Sequence, residues 1–212
     1  NGYEIQNLSI NSPDKYTGLF GQANGASWPG FWVNNLKLNN TRIQNSDDIS
    51  GSLAGYAGCA IISGVESTGV AITGSKNATG GLIGQAWYEL KILYSKVAGS
   101  VSSADSMKSA AEGAGSIGGL LGYAPGQPLE IGHSESNVNL NVKWWNIGGL
   151  VGLMYGAPTK YLEIHNNTIK GNIRVKSNSG AVWWVIGNGV NVRAQDNIAQ
   201  PAGNNKILAE GN

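Results

Sequence analysis

Apolar and polar residues alternate in short runs that recur along the whole chain. The first is Tyr3-Glu4-Ile5-Gln6-Asn7-Leu8-Ser9-Ile10. The same spacing returns in Leu36, Leu38 and Ile43, in Leu90, Ile92, Val97 and Val101, and in Leu129, Ile131, Val138, Leu140 and Val142. It returns again in Leu162, Ile164, Ile169, Ile173 and Val175. A period of two puts alternate side chains on one face of a strand. The Ser, Asn and Gly between the runs predict turns. No stretch sustains a helical period; Ser102 to Ala114 has room for a turn or two of helix at most.

A second pattern is interleaved with the first: a glycine, an aliphatic pair and another glycine. It reads GLFG at Gly18, GGLIG at Gly80, GGLLG at Gly118 and GGLVG at Gly148, with weaker copies at Ser52 and Trp184. The first aliphatics, Leu19, Leu53, Leu82, Leu120, Leu150 and Val185, lie 29 to 38 residues apart. Repeats of that length predict stacked units that cannot bury a core alone and form columns together, such as Leu82 over Leu120 over Leu150. The predicted fold is all-β: a right-handed parallel β-solenoid of about six coils, its hand taken from the rule for parallel crossovers. An antiparallel sandwich or a propeller is the alternative, but the shorter spacings barely hold the four strands of a blade. We expect one solenoid domain over residues 1–212, with 186–212 as a C-terminal cap or tail. The chain opens directly on a strand, so a piece of a longer precursor is expected.

Composition narrows the function classes. Only 13% of residues are charged and the net charge is +1, which gives no electrostatic case for nucleic acid or an anionic membrane. No apolar run approaches the roughly 20 residues of a membrane span. Cys59 is the one cysteine among 212 residues, which excludes an intrachain disulfide and a cysteine-based zinc site.

The opening NGYEIQNLSINSPDKYTGLFG, with GGLIG, GGLLG and GGLVG after it, resembles the GLUG-motif repeat family of bacterial surface and secreted proteins, which includes adhesins and IgA-peptidase-type proteins. The resemblance spans Asn1 to about Asn197. It implies a stalk or scaffold module of a secreted or cell-surface protein, and it carries no catalytic residues over, because the motif is structural. The copies at Ser52 and Trp184 each lack a glycine of the pattern.

Few residues have the look of chemistry. His133 and His165 fall near each other in stacked coils, yet nearby acidic ligands are not obvious and surface histidine is the simpler reading, so no metal site or cofactor is expected. Glu130 and Glu163 occupy equivalent Leu-Glu-Ile positions and should stack about 5 Å apart, a separation that suits a retaining glycosidase pair. The residue between two core aliphatics points outward, however, and Lys91 holds the same place one coil earlier. A solvated stripe is the simpler reading. Neither H-E-x-x-H nor G-x-S-x-G occurs, and no catalytic residue is assigned. The seven Trp against two Phe are the more unusual feature. Core filling accounts for them, or else Trp28, Trp32, Trp87, Trp144 and Trp184 form an aromatic strip for a sugar or a partner. The expected role is a non-catalytic structural or adhesive module that meets a protein or glycan on a host or neighbouring cell. The alternative is a carbohydrate-active β-helix: a glycan-binding module, a polysaccharide lyase or a glycoside hydrolase. Oligomeric state is not legible.

Overall fold

The computed structural model describes residues 2–25, 27–45, 48–74, 77–103, 115–125, 128–142, 146–155, 162–175, 182–183, 186–189, 192–195, 198–199 and 207–209. Over these residues the chain is all-β and forms a parallel β-solenoid. Each turn visits four sheets in order, named here A, B, C and D. The first turn shows them as Tyr3–Gln6 with Ser9–Ser12 (A), Tyr16–Thr17 (B), Phe20–Asn24 (C) and Phe31–Asn34 (D). Every strand pairs in parallel with its counterpart in the next turn. Side chains are described for about four turns, short of the six coils that the motif spacing predicts. The paired backbone runs on: Ile186–Gly189, Val192–Gln195, Ile198–Ala199 and Ile207–Ala209 extend three of the sheets, within the segment expected to cap or tail the stack.

The period-2 runs become the strands of sheets D and A. Leu90 and Ile92 stack on Leu129 and Ile131 in sheet D. In sheet A, Val101 stacks on Leu140, and Leu140 on Ile173. All seven are buried. The motif aliphatics make the column that their spacing predicts. The Leu82 amide donates to the Leu120 carbonyl at 3.1 Å and the Leu120 amide to the Leu150 carbonyl at 2.9 Å, and all three side chains have no exposed surface. One buried leucine is worth roughly 1.5–3 kcal/mol when removed from water. Stacking makes that burial available to every interior coil.

The glycine motif bends the chain between sheets B and C. Gly80 and Gly118 fold so tightly that a Cβ on either would overlap the carbonyl oxygen of Ile83 or Leu121. The closing glycines press on the sheet B strand of the preceding turn. A Cβ would sit 2.8 Å from the Ser50 amide nitrogen at Gly84 and 2.7 Å from that of Thr79 at Gly122. A real side chain fits at neither place, so the motif demands glycine on steric grounds.

The D-to-A corner is built differently. Asn35, Gly64, Tyr94, His133 and Asn166 occupy it in successive turns, all left-handed with φ between 50° and 63°. Behind them runs a buried polar ladder. Ser95 Oγ accepts from the Val65 amide at 3.2 Å, Ser134 Oγ from the Ser95 amide at 3.1 Å, and Asn167 Oδ1 from the Ser134 amide at 2.9 Å. Ser95, Ser134 and Asn167 in turn donate to the carbonyls of Leu93, Gly132 and Ile131, each at 2.9 Å. Buried backbone donors freed by the corner are thus satisfied from the next coil.

Candidate functional site

Where sheets B and C meet, the outer surface is concave. A cleft of about 550 Å³ lies there, lined by Lys15, Tyr16, Gln22, Asn24, Asp48, Ile49, Tyr56, Asn77, Ala78, Gln85, Trp87, Ser116 and Tyr123. That volume falls within the roughly 300–1,000 Å³ of small-molecule sites. Its long wall is one column of sheet C, in which Gln22, Tyr56, Gln85 and Tyr123 are successive Cα partners. Each stands three residues beyond its motif leucine, so the bend fixes which side chains reach the cleft. Across from them, Lys15, Asp48, Asn77 and Ser116 lead into or begin the sheet B strands.

Aromatic rings and carboxamides dominate this surface. Tyr16 and Tyr56 lie with ring centroids 5.3 Å apart at 53°, and the Lys15 ammonium sits 5.1 Å from the Tyr16 ring centroid. Burial pushes the Tyr56 hydroxyl up to about 12, and nearby Tyr88, Tyr16 and Cys59 add to the shift. Tyr56 therefore stays a protonated donor at neutral pH. Lys15 and Asp48 bring opposite charges to the same lining.

The outer face of sheet D carries the acidic pair that the sequence places together. Lys91, Glu130 and Glu163 are consecutive Cα partners, as their equivalent positions predict. Glu130 is held on both sides, by Lys91 Nζ at 2.9 Å and by His165 Nε2 at 3.4 Å. Partial burial raises the Glu130 carboxyl, but the hydrogen bond and charge of Lys91, with help from His165, outweigh it and hold the group below the ordinary carboxylate range. The adjoining hollow measures about 150 Å³, small for a ligand pocket. His133 and His165 do meet, edge to face at 5.4 Å, and Tyr94 stacks on His133 at 5.0 Å. Among the described residues no group of three His, Cys, Asp or Glu is placed to hold a metal ion.

The five tryptophans of the expected strip have different fates. Trp32 is 60% exposed on the outer face of sheet D, where it heads the column that continues through Ile61, Lys91 and Glu130. Trp87 is 41% exposed and lines the B–C cleft, which Trp32 does not reach. Trp28 is 36% exposed, in the loop before the first sheet D strand. Trp144 and Trp184 lie outside the described residues. The tyrosines and amides of the cleft are absent from the expected strip, although their constant offset from the motif leucine marks them in the sequence.

Sheet A holds a further regularity that the sequence reading overlooks. Glu4, Lys37, Glu66, Lys96 and Glu135 form one column of alternating charge. Lys37 Nζ reaches Glu66 at 3.7 Å, and Lys170 Nζ reaches Glu135 at 3.1 Å. Like charges one rung apart repel, so alternation favours this register over slipped ones.

No family model matches the sequence, and neither a curated protein nor a solved structure matches the chain. Among the described residues no helix is long and apolar enough to cross a membrane.

Proposed function

We propose that this chain is a non-catalytic structural and adhesive module of a secreted or cell-surface bacterial protein. The observation that carries the reading is the continuity of its ladders. The aliphatic column, the buried serine–asparagine corner and the alternating charges of sheet A all run along the stack. Load applied along a coil axis is then shared by four parallel sheets, which suits a stalk that presents a surface at a distance. The resemblance to GLUG-motif repeats supports the same reading, as does the low net charge. Its partner would be a protein or glycan on a host or neighbouring cell.

The enzymatic alternative needs one carboxyl kept protonated to act as an acid. Glu130 is held ionised by Lys91 and His165, which suits a nucleophile and not an acid, so an enzymatic role would require Glu163 as the acid. A direct test incubates the chain with a panel of polysaccharides and follows reducing ends and unsaturated uronates. The expected result is no release above a heat-denatured control, with retention of chain-coated beads on intact cells. Turnover that disappears in Glu163→Gln would replace the module reading with that of a hydrolase.

A further inference from the structure

We propose that the cleft between sheets B and C binds a neutral, β-1,4-linked oligosaccharide, lying along the solenoid axis. The proposal deepens the adhesive reading above and rests on it for biological sense, but the binding itself stands on the cleft alone.

Sugars present two chemistries at once. Their axial C–H faces are apolar and flat, and their rims carry hydroxyls that both donate and accept. The first calls for aromatic faces at a wet surface, the amphipathic use to which Tyr and Trp are suited. The second calls for groups that also do both, and the carboxamide is the side chain that offers a donor and an acceptor side by side. This cleft supplies Tyr16, Tyr56, Tyr123 and Trp87 together with Gln22, Asn24, Asn77 and Gln85.

The order of these groups gives direction. Along sheet C the wall alternates Gln22, Tyr56, Gln85, Tyr123, an amide on one rung and a ring on the next. Rungs repeat about every 4.8 Å, close to the length that one pyranose adds to an extended β-1,4 chain. A glycan laid along the stack would thus meet a ring and an amide on alternate units. An α-1,4 chain, which coils, would lose that register after one or two units. The charge pattern sets the remaining preference. Lys15 and Asp48 oppose each other in the lining, so the cleft lacks the cationic excess that an acidic glycan or a phosphate needs. The glycine motif completes the argument: it leaves no room for a side chain at Gly84 or Gly122, and so brings the two walls together at the cleft.

The test uses the full chain and defined probes: cellohexaose, mannohexaose and chitohexaose as neutral β-1,4 chains, maltohexaose for linkage, β-1,4 oligomannuronate for charge, and decaproline for a peptide occupant. Binding is read by titration calorimetry and saturation-transfer NMR. At least one neutral β-1,4 probe should bind and exceed maltohexaose, oligomannuronate and decaproline. Tyr56→Ala and Trp87→Ala should each weaken it about tenfold, whereas Trp32→Ala on sheet D should leave it unchanged. Tyr56→Phe keeps the ring and the fold and should lose about threefold through the hydroxyl alone. Silence toward all three neutral β-1,4 probes would overturn the proposal. So would tighter binding of oligomannuronate or decaproline, or binding that Trp32→Ala removes and Trp87→Ala does not. The scaffold reading fails on a separate measurement, the appearance of turnover, so the two failures cannot be confused.

Discussion

The B–C and D–A corners solve one problem in opposite ways. Each must turn a stacked chain without stranding buried backbone groups. At D–A the answer adds atoms: Ser95, Ser134 and Asn167 fill the inside of the bend and bond the amides of the preceding turn. At B–C the answer removes atoms: the motif glycines bring backbone against backbone. The corner filled from within leaves an outer surface occupied by Tyr94, His133 and His165 packed on one another. The corner emptied of side chains leaves a cleft. A sequence motif with no reactive group can therefore create a binding surface, by excluding Cβ atoms where two sheets converge.

The contrast breaks or sharpens under substitution. The largest effect is expected at the glycine corner. Gly118→Ala places a Cβ against the Leu121 carbonyl and 2.7 Å from the Gly152 amide nitrogen, and backbone on both sides cannot yield without shifting a sheet. A cost on the order of 4 kcal/mol is expected, read as a collapse of the melting midpoint. The serine corner should be more forgiving. Ser134→Ala leaves the buried Ser95 amide without its acceptor, while the Gly132 carbonyl keeps its bond from the Tyr94 amide, at a cost of about 1–3 kcal/mol by chemical denaturation. If Ser134→Ala proved the costlier of the two, the glycines would not be the tighter constraint.

The smallest effect belongs to the exposed face. Glu130→Gln should cost about 0.5–1 kcal/mol at neutral pH, because its ion pairs are partly solvated. The sign of the pH dependence follows from its lowered folded pKa. Its contribution is fully present above the ordinary carboxylate value of 4.5 and is lost as pH falls through the depressed one. Wild type and variant should therefore differ at pH 7 and converge in acid. Equal stabilities at both pH values would mean that Lys91 and His165 contribute nothing to the stack.

Most of the fold is legible in the sequence because stacking repeats its own constraints. The alternation around Leu129 and Ile131 and the glycine-flanked leucines both report burial, and both point to the columns found. Legibility fails where loops vary. The sheet C-to-D connection is several residues longer after Leu19 than after Leu53, and the A-to-B connection is enlarged between Ser103 and Gly115. Positions beyond such loops drift against the motif, so Trp32 and Ile61 are not legible as the head of the sheet D column that Lys91 and Glu130 continue. From sheet D to sheet A the offset is constant: Lys37, Glu66, Lys96 and Glu135 each lie five residues beyond Trp32, Ile61, Lys91 and Glu130. The charge ladder was therefore open to inference once Lys91 and Glu130 were seen as equivalent. The cleft is harder to foresee. Its wall residues keep a fixed offset from the motif, but their convergence depends on an angle between sheets that no local pattern encodes.

The central claim is that residues one repeat apart are neighbours on adjacent rungs. Ser100 and Asn139, 39 positions apart in the chain, are exposed Cα partners in sheet A. Parallel rungs separated by about 4.8 Å fall within the roughly 4.4–6.8 Å that a disulfide spans. In a Cys59→Ser background, Ser100→Cys with Asn139→Cys should oxidise to an intrachain bond in nearly all molecules, whereas Lys37→Cys with Asn139→Cys, three strands apart in the same sheet, should not. Free thiols at Ser100→Cys and Asn139→Cys under conditions that cross-link the Lys37 pair would contradict the stacked register and everything built on it.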